Sequence, residues 1–115
     1  MDSVVSQERI EPDIMVLKLV GRLTGQHGEE FRRQVEDLVN KKERKVILDF
    51  SGLEFMDSPG LSVLISSITK FVRSDATVVG TGSHGKVYQV IKAVNLGYFI
   101  PLYPSREEAV ANLNA

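Results

Sequence analysis

The hexapeptide Lys45-Val46-Ile47-Leu48-Asp49-Phe50 constrains the fold of this chain more than any other stretch. It is apolar at almost every position instead of alternating, the pattern of a strand covered on both faces, and such strands belong mainly to the parallel sheets of α/β proteins. The flanking residues agree. Upstream, Phe31, Val35, Leu38 and Val39 recur at i, i+4, i+7 and i+8 with charges between them, which predicts a first amphipathic helix. Downstream, Leu61, Leu64, Ile65, Ile68, Phe71 and Val72 predict the buried stripe of a second helix, with Ser62, Ser66, Thr69 and Arg73 on its exposed side. Residues 76–80 read as a short strand, and Val87, Val90, Ile91 and Val94 mark a third helix that Gly97 is expected to end in the left-handed conformation. Residues 99–103 read as a last strand, placed at a sheet edge by Pro101, which has no N–H. Ser105 with Glu108 three residues on is a capping-box signature for a short fourth helix carrying Ala109, Val110 and Leu113. At the other end, a weak strand from Val4 to Ile10, the turn Glu11-Pro12-Asp13 and a stronger run from Ile14 to Leu23 predict an opening hairpin, with Met15, Leu17 and Leu19 on one face.

The expected architecture is therefore a single α/β domain over residues 1–115. Its sheet is mixed, with about five strands, an opening hairpin followed by parallel βαβ units, and about four helices. A chain of 115 residues suits one domain. Composition narrows the chemistry. With no cysteine there is no thiol nucleophile, disulfide or cysteine-bound zinc, and two histidines without an HExxH pattern lend no support to a metal site. Fourteen basic against 15 acidic side chains leave a net charge of −1, too little field to collect nucleic acid or an anionic membrane. No apolar run approaches the ~20 residues of a membrane helix, and the leading MDSVVSQERI lacks the basic and apolar regions of a secretory signal, so a cytoplasmic location is expected. The acid pairs Glu29-Glu30 and Glu107-Glu108 fall in first turns of predicted helices, where the helix dipole accounts for them without catalysis. No catalytic residue, metal or cofactor is assigned.

The most informative segment is Asp49 to Leu61, read as the connection between the central strand and the second helix. Ser58 precedes a proline suited to the first helical position, so Ser58 is the expected N-cap. Capping alone would explain it. A serine at the C-terminal edge of a parallel strand and at a helix N-terminus also occupies a place where added negative charge is tolerated. A phosphoryl group there would bring ~1.5–2 charges beside Asp57 and could break a docked partner away. Other motifs compete. Gly80-Thr81-Gly82-Ser83-His84-Gly85 is a GxGxxG between a strand and a helix, although residues 99–103 offer no acid for a ribose. If the strands bearing Leu48 and Val79 are neighbours, Ser58, Asp57 and His84 could assemble as in a hydrolase, without a GxSxG elbow. The run Lys41-Lys42-Glu43-Arg44-Lys45 could contact phosphates but suits a solvated turn.

The run DFSGLEFMDSPGL, after KVIL and before VLISSI, resembles the signature of STAS domains, and specifically of bacterial anti-sigma factor antagonists. Gly21-Arg22-Leu23 resembles the family's turn after the second strand, and residues 95–100 and 105–109 resemble its closing segment. The resemblance implies a binding module in which the serine after the aspartate, here Ser58, is phosphorylated by a kinase that is itself the anti-sigma factor. The unphosphorylated form would bind that serine kinase and free a sigma factor, and a serine phosphatase would restore it, with ATP belonging to the kinase. Asp57, Ser58, Pro59, Gly60, Thr24 and Ser62 would form the partner surface. Two positions depart from the pattern: Thr24 stands where the family usually has an aspartate after Gly-x-Leu, and Pro59 replaces a small residue. Pro59 removes one N–H from the anion-holding turn, and those of Gly60 and Leu61 are expected to remain. The alternative is a STAS interaction or scaffold domain without phosphorylation control, in a transporter-associated or signalling-complex subunit.

Overall fold

The computed structural model describes residues 3–115, with side chains from Val5 onward; Met1 and Asp2, part of the leading segment searched for a secretion signal, lie outside the described residues. Five strands form one sheet in the order β1 (Ser3–Glu11), β2 (Ile14–Leu23), β3 (Lys45–Met56), β4 (Thr77–Thr81) and β5 (Leu102–Tyr103). β1 and β2 are the antiparallel hairpin, and each later neighbour is parallel. Between them run α1 (Gly28–Asn40), α2 (Ser58–Arg73) and α3 (Gly85–Ala93), followed after β5 by α4 (Arg106–Leu113). The mixed sheet and four helices are those the sequence pattern predicts. β3 is its central strand.

Strand order follows chain order, so successive crossovers of one hand deposit their helices on one face of the sheet. Val46, Leu48 and Phe50 of β3 accordingly join Phe31, Val35 and Leu38 of α1, Leu64, Ile68 and Phe71 of α2, and Val87 and Ile91 of α3 in the main core. The opposite face is left to α4, whose Ala109 and Leu113 cover Ile14, Val16, Ile47 and Val79. That double cover is the physical content of the KVILDF run.

The structure corrects several boundaries. β3 does not end at Phe50; it continues for 12 residues to Met56, so most of the segment read as a connection is strand. Its second half pairs with β2 alone, as far as Leu23↔Met56, with register shifts between Lys18 and Val20 and between Gly21 and Arg22. These shifts put Phe50, Leu53 and Met56 in the main core at three-residue spacing, which hides the strand from a period-two reading. β2 spans Ile14–Leu23 as its apolar run predicts, so Gly21-Arg22-Leu23, which the resemblance places in a turn after the second strand, is the end of that strand. β5 keeps only two residues of the expected five, because Leu96–Tyr98 forms a 3₁₀ turn and Phe99 is half exposed. Pro101 lies just before this edge strand, and its carbonyl accepts the Gly80 N–H at 2.9 Å. The left-handed residue after α3 is Asn95 (φ 54°), not Gly97, which sits inside the 3₁₀ turn. On α2 the buried stripe is rotated: Val63 and Ser67 are inside, whereas Val72 is 53% exposed.

Candidate functional site

β3 delivers the chain to α2 through Asp57, and a one-residue shift in the cap decides the chemistry. Asp57, in extended backbone, is the N-cap; its Oδ1 accepts the Gly60 N–H at 2.7 Å, and its carbonyl accepts the Leu61 N–H at 2.8 Å. Ser58 is therefore the first helical residue and Pro59 the second, correcting the expectation that the Ser58 oxygen caps the helix. A carboxylate at the cap is a strong acceptor that also complements the helix dipole. The shift leaves Ser58 exposed, in a depression of about 530 Å3 lined also by Gly25, Arg32, Pro59, Ser62 and Val63. The Gly60 and Leu61 N–H groups expected to hold an anion are already engaged by Asp57. What remains for negative charge on Ser58 is the helix dipole and Arg32, which lines the same depression with its guanidinium on Glu29.

Gly60 fixes where this turn lies. A Cβ there would stand 2.0 Å from the Leu23 carbonyl oxygen, so only glycine lets the first turn of α2 press on the end of β2. The Asp57 N–H donates to the same carbonyl at 3.3 Å. Thr24, next along β2's exit, is hydrogen-bonded through Oγ1 to His27 Nδ1 at 2.7 Å, in an adjoining depression with Arg22, Gly25, Asp57 and Pro59. Arg22 in turn lies 4.7 Å over the Phe55 ring. Five of the six surface residues named from sequence, Thr24, Asp57, Ser58, Pro59 and Ser62, thus line these two depressions, with Gly60 buried beneath. Arg22, Gly25, His27 and Arg32 are additional. Only Arg22, within the Gly21-Arg22-Leu23 resemblance, has a mark in the local sequence; the β2–α1 connection has to be folded against α2 before these residues meet.

The competing motifs resolve differently. The β4–α3 connection does form a tight turn, with Gly82 (φ 81°) approaching Ser51 and Asp49, and β5 ends without an acid for a ribose. His84 Nε2 sits 2.8 Å from the Ser51 carbonyl, while Ser58 lies seven residues further on, beyond roughly 15 Å of strand, so the hydrolase constellation is not assembled. In the Lys41–Lys45 run, Lys41 pairs with Asp37 at 3.2 Å, Glu43 with Arg9, and Lys45 with Asp13 at 2.9 Å. Among the described residues no three His, Cys, Asp or Glu side chains are grouped to hold a metal, and no helix is long and apolar enough to cross a membrane.

One buried charge stands apart. Asp49, 5% exposed, accepts the Ser51 N–H at 2.9 Å and Arg106 Nη2 at 2.9 Å, and Arg106 also reaches Glu8 at 3.2 Å. Burial pushes the Asp49 carboxyl up, but the hydrogen bonds from Ser51 and Arg106 and the Arg106 charge together outweigh it and hold the group below its ordinary value. This cluster fastens α4 to the sheet.

A five-stranded mixed sheet with three helices on one face, and a capped helix start projecting from its longest strand, is the frame of a small α/β domain. The chain belongs to the STAS domain family, which matches residues 6–109. The anti-sigma F factor antagonist of Paenibacillus polymyxa is 20% identical over 101 residues, covering 87% of this chain and 86% of that protein. The crystal structure of an anti-sigma factor antagonist from Mycobacterium paratuberculosis has a TM-score of 0.87 at 18% identity, covering 98% and 95% of the two chains. The Bacillus cell fate determinant SpoIIAA in its phosphorylated form gives a TM-score of 0.73 at 19% identity, over 96% of this chain and 99% of that one. A sulfate transporter family protein from Wolinella succinogenes shares the fold as well, with a TM-score of 0.78 at 10% identity, over 91% and 88%.

Proposed function

We propose that this chain is an anti-sigma factor antagonist that binds its partner through the Thr24–Asp57–Ser58–Ser62 surface and is switched by phosphorylation of Ser58. The observation that carries the reading is the cap shift: because Asp57 satisfies the first turn of α2, the Ser58 hydroxyl is exposed and is not needed to hold the helix. The helix dipole and Arg32 make a phosphoryl group tolerable to the fold. Its charge beside Asp57 would nonetheless repel and desolvate poorly against a surface fitted to the neutral serine. The partner is an anti-sigma factor serine kinase, to which the ATP belongs; a serine phosphatase resets the module, and the chain itself carries out no catalysis. The likeness to anti-sigma factor antagonists over nearly the whole chain supports this, including one solved in its phosphorylated form.

The test is incubation with the candidate kinase and ATP, intact-mass measurement with site mapping, and equilibrium binding of variants. Ser58→Ala should bind constitutively, and Ser58→Asp should lose at least about tenfold in affinity. Phosphate mapped elsewhere, or equal affinities for wild type and both variants, overturns the switch. The second reading, a scaffold domain without phosphorylation control, is favoured by one observation: Thr24 is a neutral residue committed to His27 where the antagonist pattern has a carboxylate. Partner binding that ignores Ser58 substitutions would select it.

A further inference from the structure

A cavity of about 580 Å3 lies away from Ser58, where β4 and β5 end beside α3 and the 3₁₀ turn. That size falls in the range of sites for small organic ligands, and the C-terminal edge of parallel strands is where open α/β sheets bind them. Its lining is mainly apolar and includes buried Ile91, together with Leu102 and the aromatic residues Tyr88 and Tyr103. Ser83, Lys92 and Asn95 complete it. No aspartate or glutamate is among the lining residues, so Lys92 is an uncompensated cation. The hydroxyl, phenol, ammonium and amide groups of Ser83, Tyr88, Tyr103, Lys92 and Asn95 have no hydrogen-bond or ion-pair partner among the described residues. Gly82 and Ser83 of the GxGxxG segment are among its lining residues.

We propose that this cavity is a binding site for a small planar carboxylate, its ring held between Tyr88 and Tyr103 over Ile91 and Leu102, and its carboxylate paired with Lys92. A charge-assisted hydrogen bond to the ammonium favours the anion over a neutral or cationic isostere, while the aromatic walls take a flat apolar body. The site is separate from the Ser58 surface and does not rest on the proposed switch.

Titrating the 15N-labelled chain with indole-3-acetate, indole-3-acetamide and tryptamine tests this, because the three probes share a ring and differ in charge. Amide shifts should concentrate at Ser83, Tyr88, Lys92 and Asn95, with the carboxylate binding about tenfold more tightly than the amide and the amine weakest. Lys92→Met should bring the acid down to the amide's affinity. Gly97→Leu should block all three probes: Gly97 has ordinary φ, and a Cβ there meets nothing nearer than Leu102 Cδ1 at 4.0 Å, so the spectrum elsewhere should stay native. Ser58→Ala should bind the acid as wild type does. Equal affinity for the three probes, shifts centred on another surface, or undiminished binding by natively folded Gly97→Leu overturns the proposal.

Discussion

Single atoms at the start of α2 decide what Ser58 can be. Because Asp57 Oδ1 holds the Gly60 N–H, Ser58→Ala should change stability by no more than about 0.5 kcal/mol, whereas Asp57→Ala should cost about 1 kcal/mol in urea unfolding. A result in which Ser58→Ala is the more damaging would return the cap to the serine. Gly60→Ala drives a methyl into the Leu23 carbonyl, which is backbone and has no rotamer to yield, so a loss of about 2–3 kcal/mol is expected. Thr81 presents the opposite case. It is 4% exposed, and its hydroxyl has no partner among the described residues, so Thr81→Val should stabilise the protein by about 1 kcal/mol; no gain in the unfolding midpoint would show that the hydroxyl is satisfied in solution. None of these contacts is visible locally. The serine before a proline in the sequence suggested a cap one residue too late, because the carboxylate that competes for the same N–H had no position until β3 was extended to Met56.

At the scale of elements, α4 is the piece most dependent on a few interactions, since Ala109 and Leu113 are its buried anchors and Arg106 ties its first turn to Asp49 and Glu8. The capping box read from sequence is present, with Ser105 Oγ accepting the Glu108 N–H at 3.2 Å. The ion pair was not legible, as 57 residues separate its partners. Arg106→Ala, which strands a buried carboxylate, should destabilise the fold by about 2 kcal/mol. The sign of the pH effect follows from Asp49. Its folded value lies below the ordinary 3.8, so its contribution is fully present above that pH and is lost as pH falls through the depressed value. Asp49→Asn should therefore flatten the acid limb of the stability–pH profile below about pH 4. An unchanged limb would remove Asp49 from the account.

For the molecule as a whole, the near-neutral charge gives a one-site modification leverage. Phosphorylation would take the net charge from −1 to about −3 at one point on the surface. That point is a helix N-terminus beside Arg32, so the fold should not register the change: Ser58→Asp should unfold within about 0.5 kcal/mol of wild type while losing partner binding. Loss of both together would make the switch an unfolding event. The sequence by itself determined the βαβ order and the central strand, because burial on both faces, 3.6-residue stripes and turn residues are local patterns written by the hydrophobic effect. Only tertiary structure decided how far β3 runs, which oxygen caps α2, that Arg22 and His27 join Thr24 and Asp57 in one depression, and that a cavity lined by Lys92 opens beside β5. Those depend on register shifts and on contacts between residues distant in the chain, where sequence spacing carries no information about which atoms meet.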